Sequence, residues 1–251
     1  MDNGAFDYPA DTRGYTWGAA LELNQKRWAV RVGSFLVSTY ANGLPLDRHF
    51  RKNNGEVGEL EFRPKPLGQP GKVKFLAYIN HANMGTYRLA LNEMPVDPDV
   101  MLTRRPGTTK YGLGLNAEQA LTANVGAFLR LGWNDGKTES WEFTEIDRTG
   151  QAGLQWMGKP WRRPQDAVGV AGVINGLSSD HREYLAAGGH GFIVGDGHLN
   201  YATERTLETY YAWKAAKFTT LTLNYQFAAN PAYNRDRGPV SILSMRFHFD
   251  F

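Results

Sequence analysis

The strongest hydropathy pattern lies at the C-terminal end, where Leu243, Met245, Phe247, Phe249 and Phe251 alternate with Ser244, Arg246, His248 and Asp250. A period of two puts the first set on one face of a strand and the second on the other. Three Phe at every second position suit a face turned to lipid, with the last aromatics in an interfacial girdle.

The same alternation recurs upstream. Leu221, Leu223, Tyr225 and Phe227 oppose Thr220, Thr222, Asn224 and Gln226, and Leu207, Thr209, Tyr211 and Trp213 oppose Glu208, Tyr210, Ala212 and Lys214. Val125, Ala127, Leu129, Leu131 and Trp133 oppose Gly126, Phe128, Arg130 and Asn134. Shorter versions run through Tyr111–Leu115, Val73–Ile79, Leu60–Phe62, Val30–Leu36 and Trp17–Leu23, and two noisier strands are expected in 139–157 and 167–176. The total is about eleven strands of the length a tilted membrane strand needs. The predicted class is therefore all-β: an antiparallel transmembrane β-barrel.

The connections sort into two kinds. Short ones are expected at Asn24–Arg27, Pro64–Gly71, Leu121–Asn124 and Ala215–Phe218, with a longer member of the same set at Lys159–Asp166. Long ones are expected at Thr39–Gly55, Asn83–Gly107, Leu177–Arg205 and Ala229–Gly238. The exception is Asn134-Asp135-Gly136, which has the residues of a tight hairpin turn but occupies a long-link position. Porin-type barrels have short periplasmic turns and longer external loops, so Phe251 is placed on the periplasmic side and the N-terminal segment outside. An odd strand count departs from the even number of single-chain bacterial barrels. The chain also starts Met1-Asp2-Asn3-Gly4, without the basic and apolar regions of an export signal. Both lead to the expectation that residues 1–251 are one domain forming the C-terminal portion of a longer barrel.

Composition adds exclusions. The mean hydropathy of −0.46 hides a barrel, because only alternate strand residues meet lipid. The uncharged stretch Ala167–Ser179 is shorter than the roughly 20 residues of a spanning helix. Without cysteine there is no disulfide framework, thiol catalysis or Cys-zinc site. A net charge of +3, with scattered basic residues, speaks against a nucleic-acid partner.

Several clusters offer chemistry. Ser178, Asp180 and His181 contain the residue types of a hydrolase triad, but triad members usually converge from separate elements, and no Gly-x-Ser-x-Gly elbow is present. His181, His190 and His198 share one long link without a compact metal-ligand spacing. The glycine-rich Gly188–Gly197 stretch reads as a structured external loop, with a short helix near Asp180–Ala187. Arg104-Arg105 and Arg162-Arg163 each precede Pro, as at turns; the first pair could instead meet anionic lipid head groups.

The polar strand face is the informative feature. A lipid-facing Arg or Lys near mid-bilayer costs about 2–4 kcal/mol, so Arg31, Lys74, Lys110, Arg130 and Arg246 are expected to line the lumen. Glu22, Glu59, Glu61, Glu118 and Glu208 alternate with them, and Asn116, Asn134, Asn224 and Gln226 add neutral donors and acceptors. A wall of mixed sign suits sugar hydroxyls, whereas one dominant sign would select ions. Phe35, Tyr78, Phe128 and Tyr210 could stack on pyranose faces; the plainer alternative is a wall that only keeps the lumen hydrated. Two other classes remain open. A barrel enzyme or structural barrel, such as a lipase or anchor, would need a Ser/His pair at the rim, for which Ser244 and His248 share a face; a soluble lipocalin-like barrel or sandwich would need the Phe247/Phe249/Phe251 face buried. Within the pore class, a non-selective general porin also stays open.

Several stretches resemble the carbohydrate-selective porin family of the OprB type. They are Trp133–Glu139, Phe143–Arg148, Ser178–Gly189, Tyr225–Phe227, Asn230–Asn234, Arg237–Val240 with the Phe251 end, Phe6–Gly14 and Asn24–Trp28. The resemblance implies an outer-membrane barrel of about sixteen strands, of which this chain would supply about the last eleven. It implies passive diffusion of mono- and oligosaccharides in a Gram-negative outer membrane, with no catalysis and no cofactor. The implied partners are the sugars, the surrounding lipid and lipopolysaccharide; monomer or homo-oligomer stays open. A constriction of Arg, Glu and aromatic side chains, partly on inward-folded loops, is implied without assignment to residues here.

Overall fold

The computed structural model describes residues 4–142 and 144–251. Met1–Asn3, and Phe143 of the family-like stretch, lie outside the described residues. Eleven strands form one sheet in sequence order: β1 (Gly18–Asn24), β2 (Trp28–Phe35), β3 (Asn54–Phe62), β4 (Gly71–Met84), β5 (Arg105–Ala120), β6 (Val125–Asn134), β7 (Arg148–Met157), β8 (Ala167–Gly176), β9 (Glu204–Ala216), β10 (Thr219–Ala229) and β11 (Val240–Phe249). Every neighbour pair is antiparallel, and the sheet is open, with β1 and β11 as its edges. Among the described residues no helix is long and apolar enough to cross a membrane.

Register fixes the faces. Glu22 opposes Arg31, which opposes Glu59; Glu61 opposes Lys74, Lys74 opposes Asn116, and Asn116 opposes Arg130. Directly paired residues project to one side, so a continuous polar face runs across the sheet. The reverse face is apolar and open: Leu21, Val32, Phe75, Leu113, Leu131, Leu223, Leu243 and Phe247 are all exposed. A continuous exposed apolar surface of this extent is foreign to a soluble monomer and natural against lipid.

The predicted hairpin at Asn134-Asp135-Gly136 does not form, and the strand expected in 139–157 begins only at Arg148. Asn134 is engaged elsewhere: Nδ2 donates to the Ile146 and Ala5 carbonyls, Oδ1 accepts from Gly136 N, and Asn134 N donates to Asp147 O. The chain from 135 to 147 thus leaves the sheet as a closed loop. Thr138 bridges to Thr86, and Glu139 accepts from Gly85 N, so the link is held by another link and not by a hairpin partner. With this correction the alternation has no exception. Links 36–53, 85–104, 135–147, 177–203 and 230–239 are at one end, and 25–27, 63–70, 121–124, 158–166 and 217–218 at the other.

The long links build their own core. Helix α1 (Tyr87–Glu93) and helix α2 (Ser179–Ala186) bring Tyr87, Ala90, Leu177, Tyr184 and Leu185 together with Val100, Val194 and Tyr233. Ser178 caps α2, its hydroxyl accepting from His181 N, which is why the helix starts there. A second cluster joins Val37, Ala82, Met84 and Trp141.

The N-terminal segment enters at this end, as expected, but does not stay outside. It folds onto the polar face: Tyr78 OH and Asn134 Nδ2 donate to Ala5 O, and Asn80 Nδ2 donates to Asp7 O. The segment carries no period that would reveal this; backbone carbonyls answered by wall side chains hold it in place.

Candidate functional site

The candidate site is the polar wall. All eleven residues predicted to line it (Arg31, Glu59, Glu61, Lys74, Lys110, Glu118, Arg130, Glu208, Asn224, Gln226 and Arg246) fall on one face by register. They do not share one environment.

Around Arg31, over β1–β4, the polar-face charges form a paired cluster. Arg31, 30% exposed, donates through Nε to Glu22 and through Nη1 to Glu59 Oε1 at 2.6 Å and Glu61 Oε2 at 2.7 Å. Lys74 Nζ stands 3.3 Å from Glu59 and 3.7 Å from Glu61, and Arg63 Nε 2.6 Å from Glu61 Oε1. Three carboxylates meet three cations, so this strip is dense in donors and acceptors yet balanced in sign.

Over β5–β11 pairing is sparse. Asn224 Nδ2 donates to Glu208 Oε1 at 2.7 Å, and Ser244 Oγ donates to Asn224 Oδ1 at 3.4 Å. Arg130 lies over the Phe128 ring, 5.2 Å from its centroid, and its Nε has no hydrogen-bond partner among the described residues. Glu118, Gln226 and Arg246 lie on this strip by register, opposite Phe128, Glu208 and Thr222.

Lys110 needs correction as a lumen-lining group. It is on the inward face but only 1% exposed, with Nζ 3.0 Å from Asp7 Oδ2, under the N-terminal segment. Tyr78 is covered in the same way, with the Phe6 ring edge-on at 5.1 Å. Asp7 is the junction sequence reasoning missed: besides Lys110 it accepts Trp141 N at 2.8 Å and Glu142 N at 2.9 Å. The one available signal was a lysine near the external end of a strand, too common to identify its partner.

The Glu142 side chain is fully buried and neither of its oxygens has a partner among the described residues. Burial first, then the Asp7 and Asp11 carboxylates, push its carboxyl up to about 8. At neutral pH it is therefore largely protonated. Asp147 goes the other way. Burial alone would raise it, but His181, Lys110 and the Ser178 N–H hold it below the ordinary carboxylate value.

The residues with catalytic chemistry are used structurally. His181 is sealed between Asp147 (Nδ1 to Oδ2, 3.0 Å) and Tyr87 (Nε2 to OH, 3.2 Å), and Ser178 Oγ donates to Gly136 O. His190 rests on the Gly195 carbonyl and His198 lies 3.7 Å from Asp236, so the three link histidines have separate partners. Ser244 and His248 bond to Asn224 and Asp250 respectively, not to each other. Arg104 is not turned to a lipid surface: it makes a two-pronged contact with Glu139 at 2.7 and 2.6 Å.

The family model for "Carbohydrate-selective porin, OprB family" matches residues 1–251. The chain belongs to this family. Among solved structures, the high-pH structure of Pseudomonas putida OprB is similar with a TM-score of 0.71 and 21% identity, over 92% of this chain and 57% of that one. The low-pH structure of the same protein is similar with a TM-score of 0.53 and 17% identity, over 92% and 53%. At these identities the likeness carries the fold, and that fold is the OprB barrel wall. The chain spans little more than half the length of these solved relatives. No curated protein matches it.

Proposed function

We propose that this chain builds part of the wall of an outer-membrane pore through which neutral sugars diffuse passively, without catalysis and without a cofactor. The carrying observation is the Arg31–Glu22–Glu59–Glu61–Lys74–Arg63 strip, where equal numbers of cations and carboxylates line one face of a sheet whose other face is apolar. Sugar hydroxyls exchange hydrogen bonds with such a strip as readily as with water, while its balanced sign gives a small ion no preferred charge. Family membership supports the same reading. Lipid and lipopolysaccharide would surround the apolar face. Closure would take further strands between β11 and β1, because unpaired edges are not tolerated in hydrocarbon.

Liposome swelling with the reconstituted porin tests this. Glucose is expected to enter faster than a zwitterion of matched size; equal rates would leave a general pore without sugar preference.

A further inference from the structure

A concavity of about 600 Å³ lies on the polar face at the short-link end, bordered by Pro70 and Gly71 and away from the Arg31 strip. Phe128 of β6 and Tyr210 of β9 flank it. Phe128 is the register partner of Gly153 on β7, and Tyr210 that of Gly169 on β8. A Cβ at Gly153 would stand 2.5 Å from Phe128 Cε1, and one at Gly169 2.5 Å from Tyr210 Cζ. Each ring therefore leans over its glycine, and the two lean toward one another across Gly153, Gly169, Ala171 and Gln155.

The wall contains the same device a second time, with an occupant. Tyr78 leans over Gly112, whose Cβ would lie 2.7 Å from Tyr78 Cζ. There the chain's own Phe6 packs on the ring and a backbone carbonyl takes the hydroxyl. An apolar surface beside a hydrogen-bonding group is what a wall aromatic of this kind holds. Phe128 and Tyr210 are partly exposed on this concavity, with Arg130 over one side of the Phe128 ring and Gln155 hydrogen-bonded to Tyr210.

The polar groups around them narrow the ligand. Arg130 brings a guanidinium and Lys72 an ammonium, Glu118 stands opposite Phe128, and Glu208 borders the far side. Two acids and two bases together select neither anion nor cation. A pyranose presents C–H faces that stack on a ring and hydroxyls around its rim. We propose that Phe128 and Tyr210, with Arg130 and Glu118, form a sugar-holding station on the periplasmic half of the wall, selective for ring sugars over open-chain polyols. It rests on the sugar-pore function and adds a residence site to it.

The test is the reconstituted porin in planar bilayers, recording the ion current as glucose, maltose or sorbitol is added. The two ring sugars are expected to reduce the current saturably and sorbitol not. Phe128→Ala with Tyr210→Ala should raise the half-saturating sugar concentration about tenfold, with each variant's block read against its own sugar-free conductance. Phe128→Leu keeps apolar volume without a flat face and should weaken the block too, whereas Phe128→Tyr should retain it. An unchanged half-saturation in a variant with intact conductance overturns the station, as does equal block by sorbitol. If glucose still swells liposomes but never saturates the current, the station fails and the sugar pore stands. If glucose does not enter at all, both fail.

Discussion

In the sheet, apolar side chains such as Leu223, Leu243 and Phe247 are exposed, while charged Arg31, Glu59 and Lys74 face inward. In the assembly of long links at one end the order is reversed. Tyr87, Tyr184, Leu185 and Tyr233 are buried together, and the buried Asp147 and Glu145 are met by His181 and by backbone N–H groups. One chain thus follows opposite burial rules a few residues apart. Under the proposed function the difference lies in the solvent each part meets: lipid outside and water inside for the strands, water alone for the links. Only the second part needs a protein core.

Changes that violate either rule should separate the two regions. The largest effect is expected from Asp147→Ala, which strips His181 Nδ1 and Ser178 N of their common buried acceptor. A loss of about 3–5 kcal/mol within the link assembly follows. It should appear as rapid proteolysis between 177 and 203 with the strands still protected; unaltered cleavage would show that the assembly does not depend on this junction. Next, Leu223→Arg on the outer face should cost about 2–4 kcal/mol in urea unfolding from vesicles. Asn224→Arg, one residue away on the inner face, should cost far less, and equal costs would remove the two-faced reading of β10.

Glu142 gives a smaller, pH-dependent effect. Its carboxyl is raised from 4.5 to about 8, so between these values the folded assembly keeps a proton that the unfolded chain has lost. Its contribution is complete below 4.5 and lost as pH rises through about 8. Between about pH 6 and about pH 7.5 the loss is about 2 kcal/mol. Following link proteolysis across that range should show it, and Glu142→Gln should flatten the profile. The smallest change in stability is expected at the inner face: Arg31→Gln breaks partly exposed ion pairs, and Arg63 and Lys74 remain beside the buried Glu61. Its effect is on permeation, since Glu22, Glu59 and Glu61 then outnumber Lys74 and Arg63 and the reversal potential should move toward cation preference. An unmoved potential would mean that the Arg31 strip does not face the ion path.

Much of the sheet was legible because a strand facing lipid and water writes its environment at every second residue. The runs through Leu223 and Phe247 give the two faces directly, and the inward side of all eleven proposed wall residues follows from parity alone. The long links write nothing comparable. Asn134-Asp135-Gly136 has hairpin residues, yet local turn preference is outweighed when Asn134 has Ile146, Ala5 and Gly136 as partners and Ser178 Oγ holds Gly136 O. Lys110 is inward by parity, as expected, but parity carries no information on whether another segment will cover it.

The sequence by itself determined the all-β class, the strand count, the two faces and the two kinds of link, because each follows from a repeat of one or two residues. The tertiary structure alone decided which inward groups meet the open lumen and which are sealed. Asp7 reaches Lys110 from more than a hundred residues away in sequence, and His181 reaches Asp147 between two links. Contacts of that kind are settled by which buried donor finds which acceptor once the sheet has curved the links together, and no local period encodes that choice.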